Sequence, residues 1–380
     1  MITENLQLKP KLIWVGPMIP SAHLNTWKGV SPAAMKWQRH LLDALVKEGV
    51  DLELLYYRPN PYWPKGMLLP WQEIMQPDIT YKNRQISYVN LPGYRNLSKK
   101  NNFRKMLRSI IKERDGQPLI VISYNAPNWV EDVFSGSDIR SQFTRIYLIA
   151  EGVVPKGADG YIFLSYNFFK RYIYSDKKLH LDGAVYPKVP RQFLQKTTDP
   201  KRKTIFLYSG FLDKWSGIKT LLDAMALIKR DDFELWISGA SDLTEFAKSA
   251  QKDKRIKYLG LLTEDQLHDT YQVANVFLNP RPVDKLINQG SFPSKLFDYL
   301  SWKKPIISTW TDGLSPEYRE VLHVVEDNPL TFSSAMISYI GIEQVYMNQH
   351  EKWFKEKTWK KQAINLLRFL KKIDYSTNEK

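Results

Sequence analysis

The sequence contains no cysteine. A disulfide framework, a thiolate nucleophile and a cysteine-bound metal are therefore excluded. Its 6 histidines fall at no metal-ligand spacing, and no Asp-x-Asp carboxylate pair occurs in the chain. Neither usual way of holding a catalytic metal is written in the sequence, so no metal is expected. No apolar run approaches the roughly 20 residues needed to cross a bilayer. The opening stretch MITENLQLKPKLIWVG has no charged leader and no cleavage site. No secretory signal is expected, and the cytoplasm is the expected compartment. Internal repeats and low-complexity tracts are missing too.

What remains is enough ordinary sequence for two domains. The chain has 380 residues, 43% of them hydrophobic, which suits two cores of normal size. The net charge is +15. Residues 1–190 carry 26 Lys and Arg against 16 Asp and Glu, so the excess sits in the first half. A basic half suits an anionic membrane surface, an acidic substrate or nucleic acid. No recognition helix, zinc finger or RNA-binding aromatic motif accompanies the charge, so nucleic acid is not an expected partner.

The most informative stretch is FLNPRPVDKLINQGSFPSKLFDYLSWKKPIIST, residues 277–309. The apolar run Ala274–Leu278 predicts a buried parallel strand. A polar loop follows, with Arg281, Asp284, Lys285 and Gly290. Pro293 is placed to open a helix, with Ser294 and Lys295 in the first turn and Leu296 continuing it. Free N–H groups and the helix dipole at such a start attract an anion. Arg281, Ser294 and Lys295 would add donors and charge. Asp298, one turn on, could hold two sugar hydroxyls, so phosphate plus ribose is the chemistry suggested. A capped helix with a solvated Lys and Asp would show the same local pattern.

FPSKLFDYLSWKKPIIST resembles the signature of glycosyltransferase family 4. In that family an acid seven positions before the strand's proline binds the donor ribose. Asp298 stands there relative to Pro305, where Glu is usual, and the family's second acid would fall at Gly290. SGFLDKWSGIKTLLDAM, residues 209–225, is similar to the opening of the donor domain. Gly210 and Gly217 match its glycines, but Phe211 and Ser216 stand where two cations would contact the diphosphate. The resemblance implies that Lys295 and Arg281 stabilise the leaving group, that Gly210, Ser294 and Leu296 line the donor site with Asp298, and that backbone near Leu261 lies against the base. It extends more loosely to the first unit, where Gly29 matches a phosphate-approaching loop glycine. Implied too are two facing Rossmann-like, doubly wound α/β domains of the GT-B type with a C-terminal crossover helix. The implied reaction is metal-independent, retaining transfer from a UDP- or GDP-sugar to a glycan or lipid-linked acceptor, in bacterial polysaccharide or glycoconjugate synthesis. No cofactor is implied, since the nucleotide-sugar is a substrate. A sugar-nucleotide epimerase on the same fold and a non-catalytic binding protein remain as alternatives.

Residues 1–190 are expected to form the acceptor domain and 191–350 the donor domain. A last helix, Glu351 to Lys372, is expected to pack back on the former. Lys11–Val15, Val50–Tyr56, Leu119–Ser123 and Ile146–Ala150 predict strands, and Ser31-Pro32 predicts a helix start. Ligands bind off the carboxyl ends of such strands, which makes Asn125, Asn128 and Glu151 acceptor-side candidates. Two features suit a membrane surface. The loop YYRPNPYWPKGMLLPW displays Trp63 and Trp71. The segment Tyr94–Arg114 is a basic amphipathic helix whose Lys99, Lys100, Arg104, Lys105 and Arg108 could meet anionic lipid. A surface helix with an ordinary core stripe fits that pattern equally well.

Overall fold

The computed structural model describes residues 9–23, 31–70, 79–125, 127–135, 137–149, 154, 156–173, 175–186, 203–213, 215–240, 253–284, 288, 290–342 and 347–378. The chain divides into two compact units. The first is Met1–Leu164, Phe169–Gly183 and Trp359–Lys380; the second is Ser165–Phe168 and Ala184–Thr358. The proline-punctuated connector expected near residue 190 lies outside the described residues.

The first unit is built on a parallel sheet of strands β1 (Lys11–Pro17), β2 (Leu52–Tyr57), β3 (Lys82–Gln85), β4 (Leu119–Tyr124), β5 (Thr144–Ile149), β6 (Gly160–Phe163) and β7 (Lys178–His180). Their order is β3-β2-β1-β4-β5-β6-β7. The apolar runs of β1, β2, β4 and β5 are buried along almost their whole length, as strands covered on both faces must be. One face carries the helix Pro32–Lys47. Ser31 caps it by accepting from the Ala34 N–H, Pro32 opens it, and Gly49 (φ +78°) ends the turn that follows. The C-terminal helix Trp359–Asn378 packs on the same face: Trp359 meets Trp37 edge-on at 5.9 Å and stacks on His40 at 5.6 Å. The other face carries the helix Arg95–Glu113, whose Phe103, Leu107 and Ile110 are fully buried. At the sheet's edge a buried carboxylate, Glu53, is held by Lys11 (2.9 Å) and Arg84 (2.5 Å).

The second unit repeats the plan. Strands β8 (Thr204–Ser209), β9 (Phe233–Ser238), β10 (Ile256–Gly260), β11 (Val276–Asn279), β12 (Ile306–Thr309) and β13 (His323–Val325) lie in the order β10-β9-β8-β11-β12-β13. This is the doubly wound arrangement, and its strand order reverses between β8 and β11. One helix departs from expectation. Glu351–Lys372 is not continuous: a helix ends at Glu356 and the next begins at Trp359. Lys357 in the break is buried, pairs with Glu317 at 2.5 Å, and its carbonyl accepts from the Val185 N–H.

Candidate functional site

The point where strand order reverses is where a doubly wound sheet opens a crevice. In the second unit that point lies at the carboxyl ends of β8 and β11. Gly210 follows β8 directly and has φ +151°. A Cβ there would lie 2.8 Å from Lys295 Nζ, so the lysine head sits against bare backbone. Lys295 opens the helix Lys295–Leu300, and its ammonium stands 3.9 Å from the centroid of the Tyr208 ring. Arg281 comes from the loop after β11. Its Nη1 donates to Ser291 Oγ at 2.8 Å, and its carbonyl accepts from Thr309 Oγ1 at 2.6 Å. The loops after β8 and β11 are locked together by Gly217 (φ +74°), where a Cβ would fall 1.6 Å from the Pro280 carbonyl oxygen.

Electrostatics single out Lys295. Burial, then the Arg281 charge, push its pKa well below the ordinary lysine range; Asp213 works the other way. Asp213 is tied locally, accepting from the Trp215 N–H at 2.8 Å. Among the described residues Lys295 Nζ has no hydrogen-bond acceptor and no carboxylate within ion-pair reach. A lysine head against a glycine backbone, with a second cation close enough to lower its pKa, is complementary to a dianion.

The floor beneath them is aromatic. The Ser209 N–H donates to Tyr299 OH (2.8 Å), and Tyr271 OH donates to Ser209 Oγ (3.1 Å). Phe277 stacks on Tyr299 with centroids 4.6 Å apart. Burial raises the pKa of both phenols, and the half-buried Asp298 nearby adds to it. Asp298 thus lies on the tyrosine side, one turn along from Lys295.

Other donor-side expectations fare unevenly. Leu296 is corrected: its side chain is fully buried in the core and its N–H already donates to the Pro293 carbonyl at 2.9 Å. Pro293 precedes the helix, which starts at Lys295 and runs for only 6 residues, so its dipole is short and the positive charge here comes from side chains. Ser294 is exposed and makes no capping bond. Leu261 follows β10 with its side chain 68% exposed. Phe211 is half exposed, and Ser216 Oγ donates to the Asp213 carbonyl at 2.6 Å. Gly29, Trp71 and Glu151 lie outside the described residues.

In the first unit, Asn125 ends β4 in a left-handed conformation (φ +57°) with its side chain exposed. Asn128 opens the helix Asn128–Phe134 and is also exposed. The basic helix differs from a lipid-facing one. Lys99 is only 5% exposed, so it cannot lie on a membrane; its place in the repeat puts it on the packed face with Phe103. Lys100 pairs with Asp132 at 3.3 Å and Arg108 with Asp138 at 2.8 Å. Lys105 and Trp63 are exposed, and Arg104 is half-buried. Among the described residues no helix is long and apolar enough to cross a membrane, and no His, Asp and Glu cluster could hold a metal ion.

Residues 203–341 match the model of a family described as glycosyl transferases group 1. That is less than half of the chain, and it spans Gly210, Arg281, Lys295 and Asp298. No curated protein matches the chain in sequence. The fold is similar to that of the catalytic domain of starch synthase IV from Arabidopsis thaliana bound to ADP and acarbose, at 12% identity over 96% of this chain and 100% of that one, TM-score 0.60. Sucrose-phosphate synthase from Thermosynechococcus elongatus is similar at 15% identity over 97% and 98%, TM-score 0.57. A UDP-N-acetylglucosamine 2-epimerase is similar at 10% identity over 98% and 97%, TM-score 0.50. Identities this low speak to the fold alone. It is the α/β fold of the GT-B glycosyltransferases, with two parallel, doubly wound sheets, and an epimerase shares it.

Sequence reasoning passed over three parts of this region. Asn279, fully buried at the end of β11, donates to Ser308 Oγ at 2.8 Å while its Oδ1 has no partner among the described residues. An amide inside the apolar run VFLN was the available signal. The Tyr271–Tyr299 floor has no local signature, because the two rings meet from separate helices. Lys304 is buried and donates to the carbonyls of Tyr271, Gln272 and Ala274 at 2.6–3.0 Å, closing the end of the helix Glu264–Val273.

Proposed function

We propose that this chain is a glycosyltransferase that moves a sugar from a nucleoside-diphosphate sugar to a hydroxyl acceptor. One observation carries the reading. Lys295 lies against Gly210 at the reversal point of the second sheet, within electrostatic reach of the like charge of Arg281, inside the segment that matches the glycosyl transferases group 1 model. Such a pair stabilises the diphosphate as it leaves, the electrostatic role that dominates transfer of this kind. It supplies the charge that the family's usual cation positions, here Phe211 and Ser216, do not. Asp298 fixes the ribose and so the register of the donor. The donor is a UDP- or GDP-sugar, the reaction is retaining and independent of metal, and the product belongs to polysaccharide or glycoconjugate synthesis. The acceptor is a glycan or a lipid-linked sugar. Contact with the inner membrane surface is peripheral and uses Arg104, Lys105 and the exposed Trp63.

A thermal-shift panel of UDP, GDP and ADP against wild type and Asp298→Ala tests the donor site. A stabilising shift with one nucleotide, reduced in the variant, is expected. No shift with any of the three sinks the reading in favour of a protein that does not bind nucleotides. Turnover of the matching nucleotide-sugar with release of nucleoside diphosphate then separates transfer from epimerisation, which keeps the nucleotide attached. Flotation with anionic vesicles addresses the membrane; binding unchanged in Arg104→Glu/Lys105→Glu removes that part.

A further inference from the structure

The first unit holds a cavity of about 510 Å³, lined among others by Tyr57, Tyr62, Arg95, Lys99, Asn128 and Trp129. Its size is in the roughly 300–1,000 Å³ range of small-molecule sites. It opens at the carboxyl ends of β2 and β4, since Tyr57 ends β2 and Asn128 begins the helix after β4. Lys99 enters it from the helix Arg95–Glu113. The ammonium stands 4.3, 4.5 and 5.7 Å from the ring centroids of Tyr88, Tyr57 and Trp129. Among the described residues it has no hydrogen-bond acceptor and no carboxylate partner. Burial, and then the Arg95 charge, push its pKa down to about 7.

Arg95 lies one turn earlier on the same helix. Its Nη1 donates to the Asn60 carbonyl (2.9 Å) and to Asn90 Oδ1 (3.3 Å), and its guanidinium lies 3.7 Å over the Tyr62 ring. These partners are all neutral, and among the described residues Arg95 Nε is buried without one. A purely structural pair of cations would be matched by carboxylates, as Glu53 matches Lys11 and Arg84. Here both cations line the cavity with no carboxylate among the described residues to match them, while Tyr57, Tyr62 and Trp129 offer flat apolar faces of the sort that sugar rings stack against.

We infer that this cavity binds a sugar-sized ligand through a compact anionic group, a carboxylate or a phosphate, paired with Lys99 and Arg95. Naming that ligand the acceptor rests on the glycosyltransferase reading; the site itself does not. An acidic sugar would bring the carboxylate, and a sugar phosphate or the phosphate of a lipid-linked sugar would bring the phosphate.

Isothermal titration with glucuronate, glucose 1-phosphate and glucose tests this. Wild type should bind at least one of the two anions at millimolar concentration, and bind glucose more weakly. Glucuronate alone indicates an acidic sugar, and glucose 1-phosphate alone a phosphate ester. Lys99→Met should weaken the anion by about tenfold or more, the scale of one charge-assisted contact, with Lys99→Arg recovering part of it. The same variant should melt no lower than wild type and bind UDP as before. Lys295→Met should do the reverse, losing nucleotide and keeping the anion. Failure of both anions to bind, or Lys99→Met binding them as wild type does, overturns the proposal. Anion binding without any nucleotide binding keeps this site and removes the glycosyltransferase reading.

Discussion

Replacing Lys295 by methionine is the sharpest test of the donor site, because affinity and stability should move in opposite directions. Methionine keeps an unbranched, polarizable chain against the Tyr208 ring and removes the charge. A charge-assisted contact to a diphosphate is worth about 1.5–3 kcal/mol. At 1.4 kcal/mol per decade, the affinity for the bound nucleotide should fall about 10- to 150-fold. Stability should rise, since burial and Arg281 both disfavour the ammonium in the free protein. The same shift sets a pH dependence. The folded pKa is depressed below the unfolded value of about 10.4. Between those two values the unfolded chain binds more protons, so this group makes stability increase with pH there and stop increasing above about 10.4. A bound diphosphate restores the ammonium, so binding takes up protons and affinity falls as pH rises above the depressed value. Titration calorimetry in two buffers of different ionisation enthalpy reads the uptake, and thermal melts over pH read the stability. Unchanged affinity in Lys295→Met, or wild-type binding heats identical in the two buffers, would refute the reasoning.

Gly217→Ala should destabilise the second unit. The φ of +74° alone costs about 1–2 kcal/mol for a residue with a Cβ, and that Cβ would fall 1.6 Å from the Pro280 carbonyl oxygen. Thermal melts should show a lower midpoint, with weaker nucleotide binding because the Arg281 loop shifts; a wild-type melt would contradict the packing described. Lys304→Met should cost on the order of 3 kcal/mol in urea unfolding, because three carbonyls in buried or half-buried contacts lose a charged donor at once. If Lys304→Met proves neutral, the helix Glu264–Val273 does not depend on this contact.

Much of the architecture was legible because both sheets are parallel and covered on two faces. Their central strands are unbroken apolar runs, such as KLIWV and LIVIS, that need no partner to be recognised. The edges were not legible. β3 is KNRQ, a polar strand that among the described residues pairs with β2 alone. Gly210, Arg281 and Lys295 fall near the carboxyl ends of β8 and β11, where strand order decides proximity. Leu296 was misplaced, because an apolar residue in a first turn reads alike whether its N–H is free or already bonded. Lys99 was misread for a related reason. Periodicity puts a lysine on a solvent face by default, and only the rings of Tyr57, Tyr88 and Trp129, from three other parts of the chain, make a buried place for it.

The treatment of lysine elsewhere in the chain is what gives Lys99 and Lys295 their weight. Lys11 is buried and has Glu53 at 2.9 Å; Lys357 is buried and has Glu317 at 2.5 Å. Lys304 has three carbonyls, and the half-buried Lys178 has the carbonyls of Phe169 and Tyr172 at 2.9 and 2.7 Å. Each of these ammonium groups recovers with protein oxygen what burial takes away. Among the described residues, Lys99 and Lys295 are given aromatic faces and a neighbouring arginine in place of an oxygen. An aromatic face attracts a cation but leaves its hydrogen-bond donors unused, and the arginine works against it. Both sites stand at the carboxyl ends of parallel strands, one in each unit. An anion from outside the protein would relieve both penalties, which is what the two proposed sites have in common.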